Sequence, residues 1–150
     1  MINKPGTPED RFADYRSAIW EISHGQLDEK PAVVSRNTEL ESAQRADRPY
    51  TLLVSLEFAQ LDGDRLPNDA AEIEAVEAAE EDLADLFVDD CGGWYGLHVT
   101  SDGTRDFFFF LPEKPEDSQV EDAIDQLGVE FEYDFWIEHD PEWLPYNDLS

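Results

Sequence analysis

The stretch from Trp94 to Leu111, WYGLHVTSDGTRDFFFFL, constrains the fold more than any other part of the chain. Two β-prone runs flank Ser101-Asp102-Gly103-Thr104, and Asp-Gly supplies the two positive-φ residues that a two-residue hairpin loop needs. The second run holds Phe107, Phe108, Phe109 and Phe110 in succession. Neighbouring strand residues point to opposite faces, so both faces there are apolar, as in a central strand covered on both sides. A two-residue loop sets Thr100 opposite Arg105 and His98 opposite Phe107. Trp94, His98, Arg105, Phe107 and Phe109 then share one face, and Tyr95, Leu97, Val99, Phe108 and Phe110 share the other.

The rest of the chain supplies partners for this hairpin. Residues 1–10 read as a flexible tail, with Thr7 and Pro8 able to start a short helix; residues 11–150 read as one domain. The alternation in Ile19-Trp20-Glu21-Ile22, turn residues at His24-Gly25 and Asp28-Glu29-Lys30, and the run Pro31–Asn37 predict an N-terminal hairpin. Residues 38–49 are polar and predict a loop or brief helix. Tyr50 to Gln60 is a strand with Leu52, Val54, Leu56 and Phe58 on one side. Asp69 and Glu72 have capping-box spacing and open a helix reaching about Asp90, with Ile73, Val76, Leu83, Leu86 and Phe87 as its apolar side and Gly92-Gly93 as its stop. Ser118 and Glu121 suggest a second capping box, for a helix ended by Gly128. Val129 to Ile137 alternates as a strand, and His139-Asp140-Pro141-Glu142-Trp143 opens a short terminal helix or turn.

From Tyr50 the order is strand, helix, strand, strand, helix, strand. That order predicts an α+β fold, a ferredoxin-like α/β sandwich (βαββαβ) with an added N-terminal β-hairpin. The strands at 50–60 and 105–111 are expected to be central and parallel, and those at 94–100 and 129–137 to be edges. Two helices cover one face of such a sheet. The face with Trp94, His98 and Arg105 is then either open to a ligand or covered by the hairpin, the Trp143 segment or a second copy of a homodimer.

Charge limits the partners. The chain carries 10 basic and 37 acidic residues, a net charge of −27. Residues 1–65 hold 8 bases and 12 acids, whereas residues 66–150 hold 2 bases, Arg105 and Lys114, and 25 acids. Such a field repels nucleic acid and anionic membranes and attracts a basic protein partner. Salt adaptation or solubility alone would also explain it. The first helix carries Glu77, Glu81, Asp85 and Asp89 at four-residue spacing, a like-charged stripe costing about 0.2–0.5 kcal/mol per pair in low salt. High salt screens such a stripe, or a basic partner neutralises it.

Enzyme signatures are absent. His24, His98 and His139 lack metal spacing, and no phosphate-cradling loop or GxSxG elbow occurs. No acidic run fits a calcium loop, so neither a cofactor nor a metal is expected. Cys91, the single cysteine, ends a helix beside Asp89 and Asp90, which raises its pKa and weakens it as a nucleophile. Arg105 is expected either to pair with Asp140 or Glu142 and dock the C-terminal segment, or to form an anion site with Arg36. The N-terminus has no apolar leader and no stretch approaches a membrane span, so a cytoplasmic monomer or homodimer is expected.

The pieces IWEISHGQLDEKPAVVSRN, YTLLVSLEF with DGDRLPNDAAE, DGTRDFFFFL and HDPEWLPY occur in this order over residues 19–146. In order and spacing the chain resembles the domain of unknown function 695 family. The resemblance rests on Trp20, Arg36, Asn37, Gly103, Arg105, Asp106, Asp140, Pro141, Trp143 and Tyr146. Phe110 stands where the family often has tyrosine, which removes a hydroxyl from any site there. In outline the chain is also similar to the regulator of RNase E activity B, an acidic ferredoxin-like nuclease inhibitor. The resemblance implies no established activity. The leading expectation is a non-enzymatic regulator that binds a basic protein through residues 69–90 and 113–138. The alternatives are a small-molecule or enzymatic site drawing on Trp20, Arg36, His98, Arg105 and Trp143, and a housekeeping domain whose acidity is salt adaptation.

Overall fold

A computed structural model describes Phe12 and residues 14–148; the expected tail, residues 1–10, lies outside them. A six-stranded sheet runs in the order β1-β2-β4-β5-β3-β6. Its strands are β1 (Trp20–Leu27), β2 (Lys30–Asn37), β3 (Tyr50–Glu57), β4 (Trp94–Ser101), β5 (Thr104–Leu111) and β6 (Tyr133–His139). Helix α1 (Ala70–Ala84) links β3 to β4, α2 (Asp117–Gln126) links β5 to β6, and α3 (Leu144–Asp148) follows β6. The four strands from Tyr50 onward form the ferredoxin-like α+β core, and the N-terminal hairpin widens it by pairing β2 with β4.

All strand pairs are antiparallel. This corrects the expectation of parallel central strands: each helical crossover returns parallel to its starting strand, but another strand lies between the two. It also moves β4 from an edge to the interior, between β2 and β5. Both hairpins turn on two positive-φ residues, Asp28-Glu29 (φ 49° and 69°) and Asp102-Gly103 (φ 47° and 86°). His24-Gly25 belongs to β1 instead of its turn. Residues 38–49 contain two 3₁₀ turns, Thr38–Ser42 and Arg45–Asp47.

The predicted pairs Thr100–Arg105 and His98–Phe107 occur, but Gly96 forms a bulge between Tyr95 and Leu97. The extra residue exchanges the expected faces of Trp94 and Tyr95. Tyr95, Phe107 and Phe109 pack beneath the helices with Leu52, Val54 and Leu56 of β3, Val76 and Leu83 of α1, and Val120 and Ile124 of α2. Trp94, Leu97, Val99, Phe108 and Phe110 pack on the opposite side with Phe12, Leu40, Trp143 and Tyr146. Phe107 to Phe110 are therefore buried between two covering layers.

Local chemistry sets the boundaries. Asp69 accepts from Glu72 N at 2.9 Å and caps α1. The Glu72 carboxylate takes the backbone N–H groups of Ala59 and Gln60, at 2.8 and 3.0 Å, and so ties the loop after β3 to the helix. The helix widens to a π turn over Asp85–Asp90, where Cys91 N reaches Leu86 O, before Gly92 turns the chain at φ 70°. The box of α2 is Glu116 with Gln119, two residues earlier than Ser118 and Glu121. β6 begins at Tyr133 instead of Val129, although Val129 and Phe131 still pack on the core.

Candidate functional site

The expected site residues divide between the two sides of the sheet. On the side away from α1 and α2, Arg36 donates through Nη1 to Glu41 Oε1 (2.7 Å) and through Nε to Tyr146 O (3.2 Å). Its guanidinium lies 4.0 Å from the Tyr146 ring centroid. The Tyr146 hydroxyl donates to Asn37 O at 2.6 Å, while Asn37 Nδ2 donates to Tyr95 O at 3.0 Å. Asp140 accepts from Leu144 N at 3.0 Å and so starts α3. Trp143, at φ 54°, lies on Phe110 with centroids 4.1 Å apart, and its Nε1 donates to Arg48 O at 2.8 Å. Trp94 packs edge-on to Trp143 beneath Arg48. The HDPEWLPY motif is thus an interlocked cover for this sheet face, in which every one of these polar groups has a partner.

Arg105 is on the other side. Its Nε donates to Thr100 Oγ1 at 2.8 Å, and neither Asp140 nor Glu142 pairs with it. Asp106 points away from Arg105 and accepts from Ser55 at 2.6 Å and Thr104 at 3.2 Å; burial raises its pKa. Arg36 and Arg105 therefore do not form one anion site.

The structure does bring Trp20, His98 and Arg105 together. Two helices cover the four-stranded core, but the hairpin carries the sheet past α1. The step between them is a cleft of about 430 Å³ with Glu77 and Glu80 on one wall and Ser35, His98, Thr100 and Arg105 along the sheet. A second hollow of about 270 Å³ adjoins it at Glu80 and His98 and reaches Tyr15 and Trp20. His98 lies 6.0 Å from Trp20, 6.4 Å from Tyr95 and 6.1 Å from Phe107, measured between ring centroids.

Glu80 was not among the expected site residues. It accepts a 2.6 Å hydrogen bond from the Tyr95 hydroxyl, and burial raises its pKa despite that bond and the charge of Arg105. The same burial holds the Tyr95 hydroxyl well above its ordinary pKa. A sequence signal existed: Glu80 follows Val76 by four residues and Ile73 by seven, which puts a carboxylate in the apolar stripe of α1.

His98 Nε2 is 3.8 Å from Glu80 Oε2. Burial, then the charge of Arg105, lowers the His98 pKa from 6.5 to about 4, so this contact involves a neutral imidazole near pH 7. The unfolded chain takes up the proton below pH 6.5 and the folded chain only near pH 4. His98 therefore withdraws stability as pH falls through that window. In His98→Gln this loss is expected to vanish. Between pH 7 and 4 the variant should gain about 3 kcal/mol relative to the native chain, read by urea unfolding at each pH.

The acidic residues occupy a third surface, which borders the cleft at Glu77 and the second hollow at Glu81. Glu77, Glu81, Asp85 and Asp89 are all exposed on the outer side of α1 and its π turn. The Arg16 guanidinium already rests there, 2.8 Å from Asp85 and 3.7 Å from Glu81, about half exposed and so worth little in stability. Asp117, Glu121, Asp122 and Asp125 are exposed on α2. Among the described residues no cluster of three His, Cys, Asp or Glu could hold a metal ion, and no helix is long and apolar enough to cross a membrane. Cys91 is exposed, with its pKa raised by partial burial and by Asp90.

No curated protein and no solved structure matches the chain. Residues 18–150 match a family of unknown function, DUF695; with nearly the whole sequence covered, including the hairpin, the Arg105 strand and the HDPEWLPY cover, the chain belongs to that family.

Proposed function

We propose that this is a non-enzymatic binding protein that captures a basic protein on the outer surface of α1 and α2, and that inhibition of a nuclease or toxin is the concrete form of that capture. One observation carries the reading. The topology sets both helices on the same side of the sheet, and neither helix contains a base, so their exposed carboxylates make one surface. Arg36, Arg45 and Arg48 are held on the opposite side by Trp94, Trp143 and Tyr146. The molecule is polarised, with a negative helix layer able to steer a cationic partner over distances of about a Debye length, roughly 10 Å in 0.1 M salt.

The test is retention of proteins from the host lysate on the purified chain, in low and then high salt, beside the variant Glu77→Gln/Glu81→Gln/Asp85→Asn/Asp89→Asn. A basic protein held in low salt, released in high salt and lost by the folded variant is the expected result. Equal retention by the variant would overturn the assignment to this face. Empty retention, with a melting temperature that climbs steeply in molar KCl, would assign the acidity to salt adaptation.

A further inference from the structure

The cleft beside α1 carries chemistry that the acidic surface does not use. We propose that it binds a small zwitterion of the amino-acid class with an apolar side chain, its carboxylate on Arg105 and its ammonium on Glu80.

Arg105 is the first reason. In a chain with 37 acidic residues, its guanidinium is tied to a hydroxyl, through Nε to Thr100. Its two Nη nitrogens make no hydrogen bond or ion pair among the described residues; the guanidinium lies 5.6 Å from the Phe58 ring centroid, and Arg105 lines the cleft. The charge of Arg105 acts on Glu80 and His98 from beyond ion-pair contact. A planar fork with two unused nitrogens matches a carboxylate bidentately.

The second reason is polar groups without partners. His98 Nδ1 and the Tyr15 hydroxyl are both buried and have no hydrogen-bond partner among the described residues. Tyr15 and His98 both line the second hollow, and His98 also lines the cleft, with Glu80 common to the two. Buried polar atoms are nearly always satisfied, and two orphans in adjoining hollows mark a place built to meet polar atoms from outside the chain.

The field then selects the ligand's net charge. A net −27 protein repels a simple organic anion on approach. A cation would be drawn in but would meet Arg105 at the end of the cleft. A neutral zwitterion avoids both penalties and satisfies Arg105 and Glu80 together. The remaining wall is apolar: Val33, Leu66, Pro67 and Ile22, which is 63% exposed although it sits on the cleft side of β1. An aliphatic side chain laid there would remove that isoleucine from water.

Calorimetry with L-leucine, 4-methylpentanoate and 3-methylbutylamine separates the requirements, because the latter two each keep one of the charges. L-Leucine is expected to bind with a Kd of about 0.1 mM and each analogue at least about tenfold more weakly. Arg105→Gln, checked for folding by its melting curve, is expected to abolish L-leucine binding. On the native chain, L-leucine should shift the His98 ring resonances, a readout that needs no variant. Absence of both heat and resonance shift with L-leucine would overturn the proposal, as would equal affinity for either analogue or unaltered binding by folded Arg105→Gln. The capture variant replaces Glu77 on the cleft wall and Glu81 at the second hollow, but neither Arg105 nor Glu80; the leucine titration is read on the native chain, so failure of one reading is distinguishable from failure of the other.

Discussion

Trp143→Ala is expected to lower the unfolding free energy by about 3–5 kcal/mol, the range for large aromatic truncations in a packed core. Trp143 is 0% exposed and stacks on Phe110 at an interplanar angle of 11°. It also meets Trp94 and Tyr146 edge-on, and its indole N–H satisfies Arg48 O. Alanine would leave a large cavity over β4 and β5 and remove the indole hydrogen bond to Arg48 O. The same residues anchor the cover, so Arg45 and Tyr146 would lose the indole they pack against. Urea unfolding followed by far-UV circular dichroism measures the change. A loss under about 1 kcal/mol would mean that the C-terminal cover contributes little to closing this face. Tyr146→Phe should cost less, about 1 kcal/mol, because it removes the bond to Asn37 O and keeps the ring.

What could be read from the sequence depended on whether the signal was local. The Asp102-Gly103 turn set the register of β4 and β5 near the loop, and Thr100–Arg105 and His98–Phe107 pair as expected. Asp69 opened α1 where its spacing put it. Long-range facts were less legible. Nothing near Trp143 says that it will meet Phe110, 33 residues earlier in the chain; the cover was one candidate for the face with His98 and Arg105, but that face lies on the side of the helices and the Trp143 segment closes the opposite one. The antiparallel centre follows from how crossovers skip a strand, a property of the whole sheet. Of the cleft, His98 and Arg105 were legible as residues sharing one face of neighbouring strands. Glu80 was not, because in a chain this acidic one more carboxylate on a helix is inconspicuous. Its position among Ile73, Val76 and Leu83 separates it from the exposed stripe. The hollow itself had no local signal, since it arises where the hairpin carries the sheet beyond the helix layer.

Gly96→Ala is expected to cost about 3 kcal/mol, at the upper end of what overpacking usually costs. A Cβ at this position would fall on the Phe110 ring, closer than the 3.0 Å that real Cβ atoms keep. The ring has little room to move away, being 0% exposed, stacked under Trp143 and set edge-on to Tyr146. Glycine in the interior of a strand marks a bulge or a close approach, and here it is both. The bulge turns Tyr95 toward Glu80 and Trp94 toward Trp143, so this small residue decides which aromatic faces the cleft and which faces the cover. If the clash with Phe110 is the cause, Phe110→Leu should relieve part of it. The double variant should then be more stable than the sum of the single losses implies, by about 1–2 kcal/mol in a double-mutant cycle. Strict additivity would place the cost of Gly96→Ala in the bulged backbone instead of the ring.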